Sequence, residues 1–261
     1  MLVIQRRELI KNQIEEIGEV LVAELSKELN VSETTIRRDL DFLENQQIVM
    51  KTYGGAVLHD NYSLKSEPLF SDRSVTNNVQ KNHIAKSAAS LINDGDVIIL
   101  DNGTTSSLIV NYLQAKKDLT IITNSIPIAY NLMASEHIDV IVLGGQLRKR
   151  TGAIVGNSTI LSLQSMYADK VFLSCSGVSI EGGVTVSNMN SMALRKQMME
   201  SSQTTILLAD SSKIGKRSIS KICSLNEITS LVTDTNFEEQ KQFEELGIEV
   251  MVANENQEDC L

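Results

Sequence analysis

Seven short apolar runs follow one another after residue 96: VIIL (97–100), TIIT (120–123), DVIVLGG (139–145), KVFLS (170–174), TTILLAD (204–210), SLVTD (230–234) and IEVMVA (248–253). None alternates apolar with polar residues over its length, so each suits burial on both faces rather than one. Between most of them lie stretches of helical character, namely SSLIVNYLQ, PIAYNLMASE, NSMALRKQMMESS and NFEEQKQFEELG. Strands buried on both faces and separated by helices form a mostly parallel sheet covered on two sides. The expectation is an α/β fold, doubly wound, over residues 76–261, entered through a helical stretch at about 72–93.

The first 57 residues follow a different period. In QRRELIKNQIEEIG the residues Ile4, Leu9, Ile10, Ile14 and Ile17 fall near helical spacing, and Gly18 is placed to end the helix. An extended piece at Val20–Val22 leads into a second helix with Leu25 and Leu29 on one face, and Asn30 turns the chain. Ser32 is a good N-cap for a third helix, with Glu33 in its first turn and Ile36, Leu40 and Leu43 at i, i+4 and i+7. IVMKTYGGAV then reads as a strand broken by Gly54-Gly55 and pairing with Val20–Val22 as a small wing. The unit is a winged helix-turn-helix domain. Residues 58–75, polar and containing Pro68, read as a connecting segment.

Composition excludes several classes. The formal charge of −9 argues against a protein that coats nucleic acid indiscriminately, although a local basic face still binds it. No apolar run reaches the about 18 residues of a membrane span, and MLVIQRRELIKN lacks the order of a signal peptide, so a cytoplasmic location is expected. Cys175, Cys223 and Cys260 are odd in number and far apart, and His59, His83 and His137 are scattered. This pattern indicates reduced thiols, no metal and no cofactor.

The third helix carries the first candidate site. Opposite its apolar stripe, Thr34 and Arg38 point outward, with Thr35 and Arg37 at the two edges. A helix crossing the major groove of double-stranded DNA uses short hydroxyl and guanidinium groups in its first turns in this way. Ser32 opens the helix, and Lys51 and Tyr53 of the hairpin are placed to touch the sugar-phosphate backbone. The competing reading is an exposed Arg37–Asp41 pair, worth only about 0.2–0.5 kcal/mol.

NVSETTIRRDLDFLENQQIVMKTYGGAV resembles the N-terminal signature of the DeoR family of bacterial transcriptional regulators. IAKSAASLINDGDVIILDNGTTSSLI, TIITNSIPIA, VIVLGGQLR, ADKVFLSCSGV, EGGVTVSN and ILLADSSKIGK resemble its effector-binding half, which is similar in fold to sugar-phosphate isomerases. The resemblance implies a regulator, most often a repressor of a carbohydrate operon, that responds to a phosphorylated sugar or polyol. A single winged helix gives limited affinity, so a homo-oligomer of at least two chains is expected. The alternative is a sugar-phosphate enzyme carrying a DNA-binding module.

Physically, LDNGTTSSLI is a strand, a glycine turn and a helix start, where free N–H groups favour an anion. Thr123-Asn124-Ser125 and Gly144-Gly145 follow later strands, and Lys213 supplies a cation for a phosphate or an acidic sugar. By resemblance, Asp101, Gly103, Thr104 and Thr105 match the family's phosphate loop and Lys213 its DxSK lysine, with Asn102 standing where serine is more usual. Asn124, Ser125, Gly144, Gly145 and Arg148 complete the expected effector site, while Lys149 and Arg150 read as a solvated basic run. Ser176, Ser179, Ser191 and Ala193 stand where related sequences and the isomerases carry carboxylates. Serine alone cannot shuttle a proton between sugar carbons, so no catalytic residue is expected. Asp169 and Glu181 read as a turn residue and a solvated loop charge.

Overall fold

The computed structural model describes residues 2–17, 19–46, 48–52, 54–58 and 69–253. The chain divides into two compact units, 1–67 and 68–261.

In the first unit, α1 (Val3–Ile17), β1 (Glu19–Leu21), α2 (Val22–Glu28) and α3 (Glu33–Asn45) precede β2 (Val49–Lys51) and β3 (Gly55–Leu58). Asn30 takes the left-handed conformation expected of the turn, with φ 50°, and Ser32 caps α3 by accepting from the Thr35 amide. Ile10, Ile14, Val22, Leu25, Ile36, Leu40 and Leu43 form the core with Val49 and Ala56. The expected stripe on α1 is narrower than predicted, because Ile4 and Leu9 are exposed; Gly18 lies outside the described residues. The wing also differs. β1 pairs antiparallel with β3 and not with β2, giving the order β1-β3-β2. Gly55 sits inside the ladder opposite Leu21, and a Cβ there would lie 1.9 Å from the Val20 carbonyl oxygen. The glycine therefore lets two strands approach, where the sequence suggested a strand end.

In the second unit, β4 (Val97–Leu100), β5 (Leu119–Thr123), β6 (Ile138–Val142), β9 (Ala168–Ser174), β12 (Ser202–Leu208), β14 (Ser230–Thr233) and β15 (Glu249–Val252) form one seven-stranded sheet in the order β15-β14-β12-β9-β4-β5-β6. Every pairing is parallel. Ile99, Val171, Leu207 and Leu231 bury into a cluster on one face, and Ile98, Leu100, Phe172, Leu208 and Val232 into a second cluster. Both faces of the inner strands are covered, so these need no polar side, whereas the edge strand β6 departs from the expectation and leaves Ile141 and Val142 exposed. Strand order reverses between β4 and β9, and open parallel sheets bind ligands beyond the strand ends at such a point.

Several elements carry too little periodicity to be legible in the sequence. A hairpin, β7 (Gln146–Arg148) with β8 (Ala153–Val155), and a small antiparallel sheet of β10 (Gly177–Ser179), β11 (Gly183–Val186) and β13 (Ser220–Cys223) sit among the loops. A helix also spans Asn157–Gln164. Within the stretch read as a connector, Phe70–Val75 is helical, and a left-handed Asn77 separates it from the helix Asn78–Ser90. Asp169 belongs to β9, where it accepts from the Val97 amide at 2.8 Å, and so is not a turn residue. No described helix is long and apolar enough to cross a membrane.

Candidate functional site

On α3, Thr34, Arg37 and Arg38 are exposed. Arg38 has no partner among the described residues, whereas Arg37 faces Glu33 at 3.7 Å. The competing Arg37–Asp41 pair does not form, and Lys51 takes Asp41 instead. Lys51 also approaches Glu44 at 4.0 Å. Its hydrogen bond to Asp41 outweighs desolvation and raises its pKa. Ser32 and Thr35 hydroxyls are 2.8 Å apart and bonded to each other at the helix start. Tyr53 lies outside the described residues.

The opposite side of α3 holds a group that sequence reasoning missed. Asp39 is 1% exposed and accepts from Arg6 Nε at 2.6 Å and Arg7 Nε at 2.8 Å. Arg7 also stacks over the Phe42 ring at 3.7 Å. These contacts pin α1 to α3 and fix which face α3 turns outward. Position 39 is three residues from Ile36, so the helical period places it near the core, but its partners are more than thirty residues away in sequence.

In the second unit the loops after β4, β5 and β9 meet at the switch point, tied by hydrogen bonds of Asp101 and Asn102. Asp101, 1% exposed, accepts from the Ser174 amide at 3.2 Å and from Arg195 Nε at 2.9 Å. Arg195 also donates to Ser191 Oγ. Gly103 lets β4's loop meet β9's end, since a Cβ there would lie 1.6 Å from Ser174 Oγ. Its backbone is ordinary at φ −121°, so close approach rather than conformation demands glycine. Thr104 and Thr105 are buried in the following turn.

Asn102, the unusual residue of the loop, has a clear structural task. Its amide nitrogen donates to Ser125 Oγ at 2.9 Å and to the Thr151 carbonyl at 3.2 Å, while its backbone N–H donates to Asn124 Oδ1 at 3.2 Å. A serine hydroxyl carries a single donor and could make only one of these two donations. Asn124 in turn donates to the Ile154 carbonyl at 3.0 Å. Gly145 takes φ 154° beside Thr159, whose hydroxyl donates to the Gly144 carbonyl at 2.8 Å. Arg148 ends β7, half-buried, and its carbonyl accepts from the Thr151 and Gly152 amides.

Lys213 stands on the turn after β12, 3.5 Å from Asp210 Oδ2. Burial raises the Asp210 pKa most strongly, but Lys213, the Ser212 and Asn77 hydrogen bonds and Lys81 together lower it. Asp210 Oδ2 and Thr233 Oγ1 are buried with no hydrogen-bond partner among the described residues. Lys81, 5% exposed, is pulled down to about 8 by burial first and by Lys213 second. Cys175, buried between these groups at the end of β9, is pushed up to about 11 by burial and stays a thiol. Ser176 accepts from the Ser187 amide across the β10–β11 hairpin, Ser179 and Ser191 are hydrogen-bonded within local turns, and Glu181 pairs with Arg217 at the surface. Among the described residues, no group of three His, Cys, Asp or Glu could hold a metal ion.

The model of the DeoR-like helix-turn-helix domain matches residues 6–61, and that of the DeoR C-terminal sensor domain matches residues 76–235. The chain belongs to the DeoR family. Among its relatives, an uncharacterized HTH-type transcriptional regulator of Bacillus subtilis, YulB, is 39% identical over 91% of each chain. A putative aga operon transcriptional repressor of Escherichia coli O157:H7 is 33% identical over 96% of this chain and 94% of its own. The lactose phosphotransferase system repressor of Staphylococcus aureus is 33% identical over 95% and 98%. As a DeoR-family member, the chain is a transcriptional regulator rather than an enzyme, and Asp101–Thr105, Arg195 and Lys213 lie within its sensor domain.

Proposed function

We propose that this DeoR-family regulator is a cytoplasmic repressor of a carbohydrate operon, acting as a homo-oligomer of at least two chains. Residues 1–57 bind the operator, and residues 76–261 bind a phosphorylated sugar or polyol that controls that binding. Thr34 and Arg38 read bases, Arg37 approaches a phosphate, and Ser32 and Thr35 shape the helix start. Lys51, held by Asp41 and Glu44, makes at most a weak backbone contact.

The observation that carries the DNA reading is Arg38, exposed and unpaired among the described residues on a helix pinned from behind by Asp39. A guanidinium held this way has its hydrogen-bond donors available for a guanine edge. For the effector, the Asp101–Thr105 turn, Asn124, Ser125, Gly144, Gly145 and Arg148 form the polar walls, and Lys213 supplies the cation. The named relatives that repress an aga operon and a lactose phosphotransferase system support a phosphorylated carbohydrate as the ligand class.

Two measurements test this. A thermal-shift screen of phosphorylated sugars is expected to find one that raises the melting temperature, because a ligand bound only by the native state stabilises it. Gel shift with DNA from the flanks of the gene should then show retention that this ligand weakens. Failure of every phosphorylated sugar to shift the melting temperature counts against the effector assignment, and absence of retention counts against the DNA assignment.

A further inference from the structure

The segment Leu69–Lys81 touches three parts of the effector crevice. Its helix Phe70–Val75 packs beside the helix Thr104–Ile109 that follows Gly103. The Phe70 amide donates to the Arg150 carbonyl at 2.9 Å, on the turn of the hairpin whose Thr151 carbonyl Asn102 holds. At the far end, Asn77 has φ 51° and sends its amide nitrogen 3.3 Å to both Asp210 Oδ1 and Ser212 Oγ.

Lys81 closes the segment on itself. Its buried ammonium donates to the Arg73 and Thr76 carbonyls, and Lys213 lies near enough to disfavour its charge. In sequence, this segment is the first described part of the second unit. Its anchors all belong to loops that carry candidate effector residues.

Resting on the reading of this crevice as the effector site, we propose that residues 69–81 form a strap that tightens when an anion binds beside Lys213 and relays occupancy toward the winged unit. An anion there offsets the repulsion between the Lys213 and Lys81 ammonium groups. Lys81 then keeps its full charge against the Arg73 and Thr76 carbonyls, and the Asn77 clip holds the strap to the Asp210 turn. The anion binds the tightened strap better than the loosened one, which is the differential affinity that a relay requires. Asn77 is a positioning residue in this scheme, since it holds the Asp210 turn and need not touch the ligand.

Hydrogen exchange on the full chain tests the strap, with inorganic phosphate, ribose 5-phosphate and glucose 6-phosphate as probes. Asn77→Gly is the informative variant, because glycine keeps the left-handed backbone without strain while it removes the clip. Ser212→Ala gives a second, independent weakening of the same contact. The wild-type protein is expected to show slowed exchange at 102–107, at 211–215 and across 70–81 with at least one probe. In both variants the slowing across 70–81 should be lost while that at 102–107 persists. Protection at 102–107 with no change across 70–81 in the wild type overturns the strap and leaves the effector site standing. So does a strap that responds in the variants as it does in the wild type. If no probe alters exchange at 102–107 or 211–215, the effector reading itself fails and the strap falls with it.

Discussion

In the winged unit the cations proposed for DNA contact, Arg37 and Arg38, are exposed, and one buried carboxylate, Asp39, holds α3 to α1. In the sensor domain the arrangement is inverted. Asp101, Asn102, Asp210 and Lys81 are buried; the first three are bonded to distant parts of the chain, and Lys81 to carbonyls of its own segment. A duplex is read by a preformed convex surface, so its contacts can wait in water at little cost. A small anion must be surrounded, and the groups that surround it have to satisfy one another while the site is empty.

The comparison breaks most visibly at Asp39. Asp39→Ala leaves Arg6, 7% exposed, without its carboxylate, and removal of one partner of a buried pair costs about 3–5 kcal/mol. Urea unfolding followed in the winged unit should register a loss of that order, and a change of under about 1 kcal/mol would mean the pair is solvated. Arg38→Ala is the counterpart at the exposed face. It should leave the urea midpoint unchanged and weaken operator binding by about 1–3 kcal/mol for each recognition helix engaged; unchanged operator affinity in a titration would remove Arg38 from the interface.

In the sensor domain, Gly103→Ala drives a methyl into Ser174, whose Oγ and Cβ would lie 1.6 and 2.7 Å away. Overpacking of this kind costs about 1–3 kcal/mol. The double variant with Ser174→Gly should recover most of it in thermal unfolding, and no recovery would place the strain elsewhere.

Lys81 supplies a pH test with two opposite signs. Its folded pKa, about 8, lies below the ordinary 10.5 because of burial and Lys213. The unfolded chain therefore binds more protons between those values, and the stability contributed at this site rises with pH across that window. Affinity for a phosphorylated sugar should fall over the same range as the ammonium is lost. Urea midpoints and ligand titrations at pH 7 and pH 9 read both trends, and Lys81→Met should abolish them together. The smallest effect is expected at Lys51. Already held by Asp41 and Glu44, Lys51→Ala should hardly alter the salt dependence of operator binding, whereas loss of a true phosphate contact lowers that slope by about one unit.

The two regions also differed in how much could be read from residue order. On α3, one helical period placed Ile36, Leu40 and Leu43 inward and Thr34 and Arg38 outward, and the structure agrees. In the sensor domain the same logic located the seven strands and the loops after them. It did not reach Arg195, which pairs with Asp101 across 94 positions, or Asn77, which meets Asp210 across 133. No local pattern marks such partners. Lys51 shows the reverse error, since a cation beside a recognition helix looks available until Asp41 and Glu44 are seen around it.

Residue order alone was enough for the winged helix, the parallel sheet, the outward face of α3 and the turn after β4. All of these follow from periodicity and from backbone preferences that act over a few residues. Tertiary structure decided the rest: that β3 and not β2 lies beside β1, that Asn102 ties three loops together, and that Asp101 is neutralised by Arg195. It also decided that the segment after residue 68 is tied to the β7–β8 turn through Arg150 and to the turn after β12 through Asp210. These are pairings between distant groups, chosen when burial removes water and each polar atom must find whichever partner the fold has brought within reach.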